Sequence, residues 1–169
     1  MAGGGGGFMG AVFAMNSADS EIDQAIDEFD RYVNNTSEAT VMNAKYFAFY
    51  KDTLVIKLPL TGLFDDSSAS FGVIIMDNSL KNNADTANLL RHEYGHTVQL
   101  DQVGLEDYLA YFALPSMYYF IQTKRGKYTW DQYYDRPWEL LADYFGQVKR
   151  TYRKDALNAA EQYWYSVLN

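Results

Sequence analysis

Two hydrophobic periods alternate along the chain, and the points where one gives way to the other divide it. Across 17–33, SADSEIDQAIDEFDRYV, Ile22, Ile26, Phe29 and Val33 recur at helical spacing with acidic residues opposite. That pattern predicts an amphipathic first helix starting near Ser17 or Ser20 and closed by Asn34, Asn35 and Thr36. The period then shortens. YFAFY (46–50) and TLVIKLPL (53–60) are aromatic or β-branched and separated only by Lys51 and Asp52, which predicts a β-hairpin. A polar turn, DDSSAS (65–70), leads into a third strand, FGVIIMD (71–77). From Asn83 the pattern is helical to the end, punctuated by Gly104, Pro115, Gly126, Pro137 and Gly146. One helix, three or more antiparallel strands and then several helices make an α+β domain.

Composition narrows what such a domain can do. At 169 residues with 48% apolar content there is material for one core and too little for two. A formal charge of -8 and a pI near 4.6 argue against a nucleic-acid partner, because phosphate binding needs clustered Lys and Arg. The one basic run, KRTYRK (149–154), reads as the solvated end of a helix. No stretch is long enough for a membrane span. The nearest, YLAYFALPSMYYFIQT (108–123), predicts a buried helix pair broken at Pro115.

The start, MAGGGGGFMGAVFAM, lacks the basic region of a signal peptide, and its five consecutive glycines read as a flexible linker or junction over residues 1–16. The domain is then expected over 17–169. Without cysteine, disulfides, thiolate metal sites and thiol catalysis all drop out. A nucleophile has to be oxygen, nitrogen or a water activated by metal.

The chain's two histidines both lie in RHEYGHTVQL (91–100). Residues 84–103 form a helical window ended by Gly104, and on it His92 and His96, four apart, project from one face as half of a zinc site. Glu93 lies about 100° around the helix from His92, beside such a metal and placed to take a proton from its water. Shuffling this composition yields HExxH in roughly one chain in two thousand. Gly95 inside a helix costs about 1 kcal/mol relative to alanine, so it marks a close approach of backbone to that face or a tight helix crossing.

With histidine and cysteine exhausted, a third ligand falls to a carboxylate, or failing that a tyrosine. RPWELLADYFG (136–146) offers Glu139 and Asp143 at i and i+4 after a helix-starting Pro137. That spacing suits a division of labour in which Glu139 binds metal and Asp143 holds the free N–H of a ligand histidine. Tyr133, Tyr134 and Arg136, just upstream, could reach the open side of the metal.

HEYGH followed by ExxAD resembles the gluzincin branch of the zincin metallopeptidases. The wider string HEYGHTVQL, ALPS (113–116) and RPWELLADYFG is similar to small zincin-like domains at the C-termini of bacterial RHS-repeat and polymorphic-toxin proteins, over about residues 70–146. The resemblance implies a zincin-like fold and zinc held by His92, His96 and Glu139. It also implies Glu93 as general base, Asp143 behind a histidine, and FGVIIMD as an edge strand that pairs with an extended peptide. The expected activity is peptide-bond hydrolysis in a secreted or delivered bacterial protein, with a peptide or protein substrate and an immunity or inhibitor protein as partners. The alternatives are a noncatalytic zinc-containing binding or structural module, and a peptidase acting as a toxin effector domain. Glu139 lies 43 positions beyond His96, further than in thermolysin-like enzymes, so their substrate-binding residues do not transfer. No third histidine remains to stabilise an oxyanion; that role falls to a tyrosine or arginine, with Tyr134 as candidate.

Overall fold

A computed structural model describes residues 37–60 and 69–169. The linker expected over 1–16, the helix expected over 17–33 and most of the turn at 65–70 lie outside them. Within the described residues the chain is α+β, as its periods predict.

Helix α1 (Glu38–Asn43) is started by the Ser37 hydroxyl, which accepts the Thr40 N–H, and it lays Val41 and Met42 on the sheet. Strands β1 (Phe47–Tyr50) and β2 (Thr53–Leu58) form the expected hairpin around Lys51 and Asp52, with Lys51 at a left-handed φ of 52°. Strands β3 (Ala69–Ser70) and β4 (Val73–Asp77) complete a sheet ordered β1-β2-β4-β3.

Two strand expectations need correction. The sheet is mixed, because β2 and β4 run parallel, with Leu54 opposite Val73 and Leu58 opposite Asp77. A parallel pair requires a crossover of a dozen or so residues, and residues 59–72 provide that length where a turn was expected. FGVIIMD is also not an edge, since β4 is paired on its other side to β3 through Ile74 and Ile75.

Helix α2 (Ala84–Val103) has the bounds its sequence predicts: Asn83 accepts the Thr86 N–H at 2.9 Å, and Gly104 ends it at φ 79°. The helical run that follows comprises α3 (Leu105–Tyr108), a π-helical turn (Leu109–Ala113) and α4 (Leu114–Lys124). The expected break at Pro115 does not occur. Proline cannot donate to the Tyr111 carbonyl, but the wider π turn absorbs the defect and the Tyr163 hydroxyl donates to that carbonyl instead. Nor is the run buried throughout, for Leu109, Tyr111, Leu114, Met117 and Tyr118 are exposed. Helices α5 (Trp130–Tyr134), α6 (Pro137–Gly146) and α7 (Lys154–Leu168) finish the chain. No described helix is long and apolar enough to cross a membrane.

Two apolar clusters flank α2. One, largely aliphatic, joins Val41, Val55, Ile74, Met76 and Leu90 beneath the sheet. The other is aromatic, built from Tyr108, Phe112 and Trp138 with Tyr163 and Trp164 of α7 against them. The histidine face of α2 lies between the two, against α6.

Candidate metal centre

Two glycines let α2 and α6 touch backbone to backbone. A Cβ on Gly95 would lie 1.8 Å from the Ala142 carbonyl oxygen, and one on Gly146 would lie 1.8 Å from that of Arg91. Gly95 is therefore a tight crossing and a close backbone approach at once, and Gly146, expected only as punctuation, is its reciprocal. The crossing brings α2's polar face within side-chain reach of the first turn of α6.

There His92, His96 and Glu139 converge, all buried, with one ligand atom of each within 4.8 Å of the others. His92 Nε2 and His96 Nε2 lie 3.1 and 3.6 Å from the same oxygen, Oε2 of Glu139. Donors about 2.0–2.1 Å from a tetrahedral ion stand roughly 3.3 Å apart, and both histidine–carboxylate separations are close to that. Glu139 is 0% exposed, yet neither carboxylate oxygen makes a hydrogen bond of acceptable geometry. A buried carboxylate without hydrogen bonds demands an explanation, and a cation between it and two imidazoles supplies one. Burial favours a neutral Glu139, but the imidazoles of His92 and His96 outweigh it and hold the group well below the usual carboxylate range. His92 answers in kind: burial opposes its charge, but Asp143 and Glu139 hold its pKa well above the ordinary value.

Both imidazoles are aimed by partners on their far nitrogens. His92 Nδ1–H donates to Asp143 Oδ1 at 2.7 Å, and His96 Nδ1–H donates to Gln99 Oε1 at 2.7 Å. In the neutral ring these acceptors keep the proton on Nδ1 and present Nε2, so that a metal there takes the place of the second proton that Asp143 and Glu139 otherwise favour on His92. Gln99 in turn donates to the Trp138 carbonyl at 2.8 Å, tying the end of α2 to the residue before Glu139. Sequence reasoning missed Gln99; its position at i+3 from His96, on the same helix face, was the available signal.

It also missed the pairing of Arg150 with Asp143. Asn88 exchanges two hydrogen bonds with the Lys149 backbone, at 3.1 and 3.3 Å, and thereby docks the loop after α6 on α2. Arg150 pairs from that loop with Asp143 Oδ2, lies 5.0 Å from the Tyr134 ring centroid and donates to the Tyr134 carbonyl. The basic run is largely exposed, as expected, but it lies in the loop after α6 and the start of α7 rather than closing a helix, and one of its members, Arg150, braces the aspartate that holds His92. With His92, Tyr134 and Asp143, Arg150 lines a cleft of about 450 Å³ whose apolar wall is Leu80, Leu89 and Val148.

Glu93 is buried, and its charge helps raise the pKa of Tyr108, Tyr133 and Tyr134, after burial as the main cause. Tyr134 stands edge-on to the His92 ring with centroids 5.9 Å apart. Tyr133 bonds the Ser116 hydroxyl at 2.9 Å. Arg136, expected at the open side of the metal, is stacked instead on Tyr119, 4.0 Å from the ring centroid, and on Tyr128.

No family model, curated protein or solved structure matches this chain. The arrangement of these side chains is therefore what carries a functional reading.

Proposed function

We propose that the protein is a zinc-dependent, zincin-like peptidase in which His92, His96 and Glu139 hold the metal and Glu93 is the general base. The observation that carries this reading is the buried Glu139 carboxylate, without hydrogen bonds of acceptable geometry, facing the Nε2 atoms of two imidazoles whose Nδ1 atoms are held by Asp143 and Gln99. Two nitrogen donors and one carboxylate suit zinc better than the oxygen-seeking Mg²⁺ or Ca²⁺. When bound, zinc supplies Lewis acidity toward a scissile carbonyl and lowers the pKa of water at the site. Glu93, one residue after His92, takes the proton of the attacking water on its carboxylate and delivers it to the leaving amine nitrogen. Asp143, braced by Arg150, keeps the His92 proton on Nδ1. Tyr134, whose pKa burial pushes up to about 12, keeps its hydroxyl proton at neutral pH and is the candidate donor to the developing oxyanion. A peptide or protein is the proposed substrate, and the likeness to C-terminal domains of RHS-repeat and polymorphic-toxin proteins makes an effector peptidase the setting of choice.

The test measures metal content and cleavage of unfolded proteins and peptide libraries together. The expected result is one zinc per chain, cleavage by the native sequence, and for Glu93→Gln full zinc content with cleavage down at least 10³-fold. Cleavage retained by Glu93→Gln would sink the mechanism. Zinc uptake unchanged in Glu139→Ala would remove the third ligand, and zinc without any cleavage by the native chain would make the site structural.

A further inference from the structure

Opposite its buried residues, the helical run 105–124 carries a continuous uncharged face that the other described residues leave open. Leu105, Leu109, Leu114, Met117 and Tyr118 are exposed there, with Ile121 half-buried. Their spacing keeps them on one side only because of the π turn: the five-residue step from Leu109 to Leu114 crosses its wider winding and turns Leu114 less far round than an α-helix would. Tyr108 and Phe112 point the other way, into the aromatic core. The face spans about 30 Å and ends in opposite charges. Glu106 and Asp107 stand exposed at its N-terminal end, in no ion pair among the described residues. Lys124 and Arg125 stand exposed at its C-terminal end.

We infer that this face pairs two copies of the chain about a two-fold axis, with the helices antiparallel. A two-fold interface must be complementary to itself, residue for residue. An axis beside Leu114 and Pro115 meets that demand: it sets Leu109 of one copy near Ile121 of the other, and Glu106 and Asp107 near Lys124 and Arg125, twice over. A parallel pairing would instead stack acid on acid and base on base. The charge order along the helix therefore selects a second copy, in this orientation, as the occupant. One helix face from each copy is at the small end of protein interfaces, so association in the micromolar range is expected.

Sedimentation equilibrium of the full chain from about 1 to 200 µM tests this, with circular dichroism as the check that each variant folds. A concentration-dependent dimer is expected, weakened at least tenfold by Met117→Glu. Reversing one end (Lys124→Glu with Arg125→Glu) should weaken it likewise, and adding Glu106→Lys with Asp107→Lys should restore it. A monomer at every concentration, a dimer indifferent to Met117→Glu, or a fourfold reversal that fails to restore pairing would each overturn the inference. A monomer that binds phosphatidylcholine vesicles through this face would overturn it too and assign the face to lipid.

Discussion

Helix α2 packs on two sides by two different means. Toward the sheet it uses Leu90, fully buried among Val41, Val55, Ile74 and Met76. Toward α6 it uses the absence of side chains at Gly95 and Gly146, and a buried polar chain running Gln99, His96, Glu139, His92 and Asp143. Aliphatic packing stabilises through area removed from water, and its losses are graded with volume. Backbone contact and buried charge are intolerant, because neither a carbonyl oxygen nor an unpaired carboxylate can give way cheaply. The sheet side holds α2 in place, while the α6 side decides what α2 can bind.

The largest effect should come from disturbing the crossing. Gly95→Ala drives a methyl into the Ala142 backbone, and Gly146→Ala drives one into that of Arg91. Each should cost about 4 kcal/mol or more in chemical denaturation and abolish stoichiometric zinc uptake, because spreading the helices separates Glu139 from the histidines. Leu90→Ala, on the other side, should cost about 3 kcal/mol as a cavity and leave zinc affinity unchanged in the folded protein. If both kinds of variant lost stability and zinc in proportion, the distinction between the two sides would fail.

Within the polar chain the two histidine supports should rank by charge. Asp143→Asn should weaken zinc about 100-fold, because a carboxylate makes its imidazole a stronger donor and the amide does not. Gln99→Ala should weaken it only about tenfold, its loss being one neutral hydrogen bond and the tether to the Trp138 carbonyl. Competitive chelator titration separates the two, and equal losses would show that orientation alone matters.

What could be read from the chain beforehand follows the same divide. The bounds of α2 were legible because Asn83 and Gly104 are local signals, and the grouping of His92, His96 and Glu139 was legible because His92 and His96 share a helix face and no further histidine or cysteine competes with Glu139. The hairpin was legible from Lys51 and Asp52. Relations between distant segments were not. A period of two marks residues as strand and says nothing of direction, so the parallel pairing of β2 with β4 was invisible. Pro115 signals a lost hydrogen bond, but only the fold provides the Tyr163 hydroxyl that replaces it. Arg150 is exposed, as KRTYRK suggests, but its pairing with Asp143 was not legible, since the loop docking that turns it there depends on Asn88, 62 positions earlier.

The smallest expected effect belongs to the sheet side and concerns acid. Asp77, at the end of β4, accepts from the Ser79 hydroxyl and amide and from the Leu60 amide, and these bonds hold its carboxyl below the ordinary value of 3.8. A carboxyl held low in the folded chain binds its proton more weakly there than when unfolded. Its contribution is therefore complete above about pH 4 and is lost as pH falls through the lower folded value. Asp77→Asn should accordingly flatten the fall in the urea midpoint between pH 4 and pH 2.5, with zinc binding at neutral pH untouched. An undiminished pH slope in that variant would place the acid sensitivity of the fold elsewhere, with the Glu38 carboxylate that pairs with Arg91 next in line.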